Sequence, residues 1–146
     1  MTIIIDTSID LPQDDIDSII AACKDYVDSW FTGDEEKMRN CLHPDLIKRA
    51  ILYNKDTNDW IVGRNVTREI MVEKTIQGGD SDRAETDRNY TIKLMDGYKY
   101  TAAVMLKAHF LMDYILLGKF RKRWLIVSVL WEPTPHETSL FAEPSE

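Results

Sequence analysis

Three apolar runs close the chain, TAAVMLKAH, MDYILLGKF and WLIVSVLWE, separated by short breaks. Each is too short to cross a membrane as a helix. They are rich in Val, Ile, Leu, Tyr and Trp, and the basic turn Arg121-Lys122-Arg123 precedes the last. This pattern predicts three adjacent antiparallel strands, Thr101–Ala108, Met112–Leu117 and Trp124–Trp131. All three are apolar at both parities: Val104, Leu106 and Ala108 oppose Ala103 and Met105. In the last run, Leu125, Val127, Val129 and Trp131 oppose Trp124, Ile126 and Leu130. An antiparallel sheet with one wet face alternates cleanly, so this pattern asks for cover on both faces.

Upstream the period becomes helical. Ile16, Ile19, Ile20, Cys23, Val27, Trp30 and Phe31 form one stripe, which Pro12 opens and Gly33 ends. Asp34 caps a second, shorter helix that stops at His43-Pro44. Leu46–Tyr53 reads as a short strand or an irregular stretch, and Trp60-Ile61-Val62 as a short strand closed by Gly63. A third helix is expected from Thr67 to Gln77, followed by an exposed, charged loop over Asp80–Arg88. Tyr90–Met95 begins the sheet, with Asp96-Gly97 as its hairpin turn. Thr2–Ile5 is expected as a short arm or edge strand. The order predicts one α+β domain over residues 1–146, with helices packed on one curved sheet and a Pro-rich tail over 133–146.

Composition narrows the function. A chain of 146 residues suits one core, and a net charge of −7 argues against a nucleic-acid partner. The N-terminus has neither a cationic start nor a long apolar run. That predicts no signal peptide, no membrane partner and a cytoplasmic protein. Cys23 and Cys41 are expected as buried thiols, with no metal site and no cofactor. No phosphate loop or Ser-His-Asp spacing appears.

The stretch YVDSWFTGDEEKMRNCLHPDL, with DYILLGKFRKRWLIVSVLW later, resembles the nuclear transport factor 2-like superfamily, and within it the "putative lumazine-binding" group. The resemblance covers about residues 12–132. It implies a cone-shaped, curved antiparallel sheet wrapped around three N-terminal helices, with a pocket inside. By resemblance to the ketosteroid isomerases of that superfamily, Tyr26, seven residues before Gly33, and Asp113 of the sheet would face an oxyanion. The isomerase's base has no counterpart, because Lys48-Arg49-Ala50-Ile51 contains no carboxylate.

Each candidate has a plainer reading. Tyr26 either faces the pocket or simply packs. Asp113 either faces inward with Ile115 and Leu117, or pairs with Lys107, His109 or Lys119 at a wet edge. His43 either caps a helix end or enters the cone as an acid–base group. Trp30, Tyr53, Trp60 and Ile115 are expected at the pocket wall. Three functions remain: a domain binding a small apolar ligand, an enzyme acting on an enolisable or polycyclic compound, and an interaction module with a filled cone. A homodimer through the sheet face is expected, with Leu140 and Phe141 of the tail as anchors.

Overall fold

The structure is a computed structural model, and it describes residues 1–135. The tail anchors Leu140 and Phe141 therefore lie outside the described residues. The elements run β1 (Thr2–Ile5), α1 (Gln13–Thr32), α2 (Glu35–Cys41), β2 (Leu42–Asn54), β3 (Asp59–Thr67) and α3 (Arg68–Ile76). A 3₁₀ turn (Glu85–Asp87) follows, then β4 (Tyr90–Gly97), β5 (Thr101–Ala108), β6 (Leu111–Phe120) and β7 (Arg123–Pro133).

Local chemistry explains the helix ends. Asp14 and Asp15 lie in the first turn of α1, where the helix dipole favours acid. Gly33 ends α1 in the left-handed conformation. The Asp34 side chain accepts from Lys37 N–H at the start of α2, and Thr67 accepts from Ile70 N–H at the start of α3.

Seven strands form one open curved sheet in the order β1-β4-β5-β6-β7-β2-β3. The β4–β7 meander and the β2–β3 hairpin are antiparallel, while β1 joins β4 and β2 joins β7 in parallel. The helices cover one face. Ile19 and Cys23 of α1, Met38 of α2 and Val72 of α3 pack there against Ile92, Val104, Ile115 and Ile126. Both cysteines are buried free thiols, and burial pushes the Cys41 thiol up to about 12.

Several sequence expectations change in detail. Leu46–Tyr53 belongs to a long strand, and β3 runs through Gly63 to Thr67. Asp96-Gly97 is not the turn. Gly97 pairs with Ala102, and the turn is Tyr98–Tyr100, closed by Tyr98 N–H to Thr101 O at 2.7 Å. A side chain on Gly97 would sit 2.6 Å from Leu11, so the glycine makes room for packing. The basic hairpin turn is two residues, Arg121 and Lys122, both at positive φ, and Arg123 begins β7. In β7 a register shift near Val127 breaks the simple alternation, so Ile126 and Val129 are both buried.

The loop after α3 is not a freely solvated run. Gly79, with φ of 52°, brings the backbone against α1, where a side chain would meet the Trp30 carbonyl oxygen at 2.5 Å. Asp80 N–H then donates to that carbonyl at 3.1 Å, and Trp30 Nε1 donates to the Asp80 carboxylate at 2.7 Å. Arg88 ties the loop further through Ser81 O and Arg83 O.

Candidate functional site

The cross-strand registers explain how charge enters the helix-covered face. One row across the sheet runs Leu94, Val104, Ile115, Val129, Lys48 and Val66. Its members point under the helices, and Lys48 is carried in with its apolar neighbours, only 9% exposed. The next row sets Asp113 between Leu106 and Trp131. Asp113 has no solvent exposure, while Tyr114 beside it is on the outer face.

Tyr26, from the middle of α1, meets these two residues from the helix side. Lys48 Nζ donates to the Tyr26 hydroxyl oxygen, and the ammonium also lies 5.1 Å from the Tyr26 ring centre and 5.5 Å from that of Trp131. Neither Asp113 oxygen has a hydrogen-bond partner among the described residues. Burial raises the Asp113 carboxyl above its usual value, against the opposing pull of Lys48 and Tyr26. Burial lowers Lys48, with Asp113 pulling the other way. Burial and the Asp113 charge raise the Tyr26 phenol well above its ordinary value. The two shifts run toward each other, and a buried carboxyl held in its protonated form can donate a hydrogen bond.

These three side chains open on a cavity of about 210 Å³ between α1, α3 and the sheet. Val27, Val66, Met71 and Leu106 supply apolar wall, and Trp30, Phe110 and Trp131 supply rings. Arg64, Lys74, Asp80 and Arg83 add charge from β3, α3 and the loop after it. Among the described residues no His, Cys, Asp and Glu group has the spacing of a metal site.

Of the candidates read from sequence, Tyr26, Asp113 and Trp30 line this one cavity. The wet-edge reading of Asp113 fails on burial; Lys119 instead pairs with Asp15 at 2.9 Å. His43 is not in the cavity. It stands at the start of β2, where its ring is 4.5 Å from Phe120 and its Nδ1 accepts from Asp45 N–H at 3.0 Å. Tyr53 and Trp60 are outside as well, packed edge to face with centres 5.5 Å apart beside the turn of the β2–β3 hairpin. Ile115 is buried in the row beneath, as core and not as cavity wall. The sequence reading passed over Lys48 as a site residue, together with Lys74, Asp80 and Arg83. Lys48 had a signal: it stands at the same parity as Leu46, Ala50 and Leu52. The others converge only through tertiary packing.

The three-helix, curved-sheet architecture is that of the nuclear transport factor 2-like proteins. Within that class, residues 14–132 match the family described as "Putative lumazine-binding", and the chain belongs to it. Similar solved structures include a nuclear transport factor 2-like protein of unknown function from Silicibacter pomeroyi. It is 13% identical with a TM-score of 0.66, over 84% of this chain and 98% of that one. Another of that description, from Shewanella baltica, is 14% identical with a TM-score of 0.60, over 86% and 98% of the two chains. A protein of unknown function with a cystatin-like fold from Nostoc punctiforme is 13% identical with a TM-score of 0.57, over 88% and 97%. No curated protein sequence matches this one. No helix among the described residues is long and apolar enough to cross a membrane.

Proposed function

We propose that this chain is a small-molecule-binding domain whose ligand occupies the cavity over Tyr26, Lys48 and Asp113. The observation that carries the reading is Asp113: fully buried, without a hydrogen-bond partner for either oxygen among the described residues, and lining a cavity large enough for a small molecule. A buried polar group without a partner costs about 1–3 kcal/mol, which a ligand donor or acceptor would recover. The cavity also argues against an interaction module with a filled cone. An apolar cavity of roughly 150 Å³ holds benzene, so about 210 Å³ suits a compound of one or two rings better than a larger polycycle. The test is denaturing extraction of the purified protein followed by mass spectrometry. A molecule should accompany the wild type near one per chain and be missing from Asp113→Leu, which should stay folded. Wild-type protein that carries no molecule and binds none from a panel of small aromatic compounds would refute the reading.

A second reading is supported by Tyr26 and Asp113 sharing the cavity floor: an enzyme that stabilises an enolate through both groups. His43 does not line this cavity, so Lys48 is the proton carrier beside a bound substrate. Exchange of a cyclic ketone's α-protons in heavy water, followed by NMR, tests this. Catalysed exchange lost in Lys48→Met would support it, and no exchange above background would remove it.

The expected partner is a second copy of the chain on the outer sheet face. Tyr114, Leu116, Phe120 and Leu130 are each at least 40% exposed there, beside the exposed turn residues Tyr98 and Tyr100. Contiguous apolar surface of this kind favours an isologous contact.

A further inference from the structure

We propose, resting on the binding-domain reading, that the cavity's ligand is a small aromatic carboxylate, held with its anionic group toward Arg83 and Lys74 and a polar group toward Asp113. Charge gives the first argument. The chain carries a net −7, yet the cavity is lined by four cationic side chains and two carboxyls. The surplus of two positive charges is the same whether the Lys48–Asp113 pair is neutral or ionic. The cations come from β2, β3, α3 and the following loop, so they meet only in the folded chain. A low-dielectric concave surface of one sign concentrates ligands of the other.

Hydrogen-bonding capacity gives the second argument. Asp80 is engaged already, accepting from Trp30 Nε1 at 2.7 Å and lying 3.6 Å from Arg83. Arg83 is held with its guanidinium 3.7 Å from the Phe110 ring centre, but its buried Nε–H has no partner among the described residues. A carboxylate satisfies that donor with a charge-assisted bond. The two Asp113 oxygens are likewise buried without a partner among the described residues, and they call for a hydroxyl or carbonyl. The same cavity wall carries the rings of Trp30, Phe110 and Trp131. An aromatic ring with a carboxylate at one end and a hydroxyl at the other satisfies both groups within about 210 Å³.

Calorimetric titration of the full chain with 4-hydroxybenzoate and 4-hydroxybenzamide tests this, because the two probes share a shape and differ in charge. The acid should bind at least about tenfold more tightly than the amide at low salt, and added salt should narrow the gap. Lys74→Gln and Arg83→Gln, checked first for unchanged melting, should reduce that preference. Removing the para-hydroxyl, by using benzoate, should weaken binding to the wild type and matter little to Asp113→Leu. Equal or tighter binding of the amide would overturn the charge assignment and leave the binding-domain reading standing. Acid binding that ignores both cation variants would also overturn it, because the acid would then be bound elsewhere. Failure of both probes at about millimolar concentration would count against the inference and the underlying reading together.

Discussion

The two faces of the sheet reverse the usual distribution of polarity. The helix-covered face contains Lys48 and Asp113, a lysine and an aspartate with almost no exposure. The outer face exposes Tyr114, Leu116, Phe120 and Leu130. Neighbouring residues of one strand illustrate this: in β6, Asp113 is fully buried and Tyr114 is 47% exposed. Stability alone favours the opposite arrangement, since buried charge is costly and exposed apolar area forfeits about 25 cal/mol per Å². A face that buries a polar group without a hydrogen-bond partner marks a place for a ligand. A face that exposes apolar side chains marks a place for a surface. The two are different interactions, and single substitutions separate them.

The largest contrast should come from adjacent residues of β6. Ile115 is completely buried and Leu116 is 52% exposed. Ile115→Ala should cost about 2–5 kcal/mol of unfolding free energy through lost burial and the cavity left behind. Leu116→Ala should cost well under about 1 kcal/mol at concentrations too low for association. Urea titration followed by tryptophan fluorescence measures both. Similar losses at the two positions would mean that the faces do not differ as described.

A pair of hydroxyl deletions makes a finer contrast. Tyr26→Phe removes the oxygen that accepts from Lys48 and leaves that buried amine short of a partner. The expected cost is about 1–3 kcal/mol. Tyr114→Phe removes a hydroxyl from a half-exposed side chain, with an effect within about 0.5 kcal/mol. If Tyr26→Phe proves neutral, the tyrosine's part in the cavity floor is packing alone.

Much of this contrast was legible in the sequence, and the residues tell why. The period of β6 put Asp113 on the side of Ile115 and Leu117, a local regularity that survives into the fold. Tyr26 was legible only through the resemblance to the isomerases, whose tyrosine has the same spacing to the glycine, and the helical stripe of α1 did not itself include it. Lys48 was as local as Asp113, at the parity of Leu46, Ala50 and Leu52, but the uncertain strand assignment of that stretch hid it. His43 misled because a His beside a Pro at a helix end marks a boundary and says nothing of direction. The cavity rim could not be read at all. Arg83 and Asp80 enter it because Gly79 allows the loop to lie against Trp30, a contact between residues 50 positions apart. The bulge near Val127, which resets the inward set of β7, has no local signature either.

The pH dependence of stability distinguishes a neutral Asp113 from an ionic one. Burial raises its folded-state value above the ordinary 3.8, so the fold prefers the protonated acid. That contribution is full below 3.8 and is lost as pH rises through the raised folded value. Asp113→Asn stays neutral and escapes this loss. The variant's stability relative to wild type should therefore increase with pH above 3.8 and level off once Asp113 ionises in the folded protein. Chemical denaturation across that window is the measurement. If the variant instead loses ground as pH rises, Asp113 is a carboxylate paired with Lys48, and the ionic description replaces the neutral one.

The smallest effect on folding should accompany a clear effect on assembly. Leu116 and Leu130 face outward from neighbouring strands, β6 and β7, and both are about half exposed. Replacing both with lysine removes apolar area that the isolated chain already leaves wet, so unfolding free energy should change by no more than about 0.5 kcal/mol per site. In a two-fold contact each lysine would face a copy of the same patch, and four new charges would enter one apolar interface. Desolvating them costs several kcal/mol, enough to abolish micromolar association. Sedimentation equilibrium should then give the mass of two chains for wild type and of one chain, 17.0 kDa, for the double variant. A wild-type mass of one chain would remove the proposed dimer. The exposed apolar face would then have to be read as the docking surface of a different protein. A double variant that remains a dimer would move the contact elsewhere, leaving the contrast between the faces intact but its outer half without a partner.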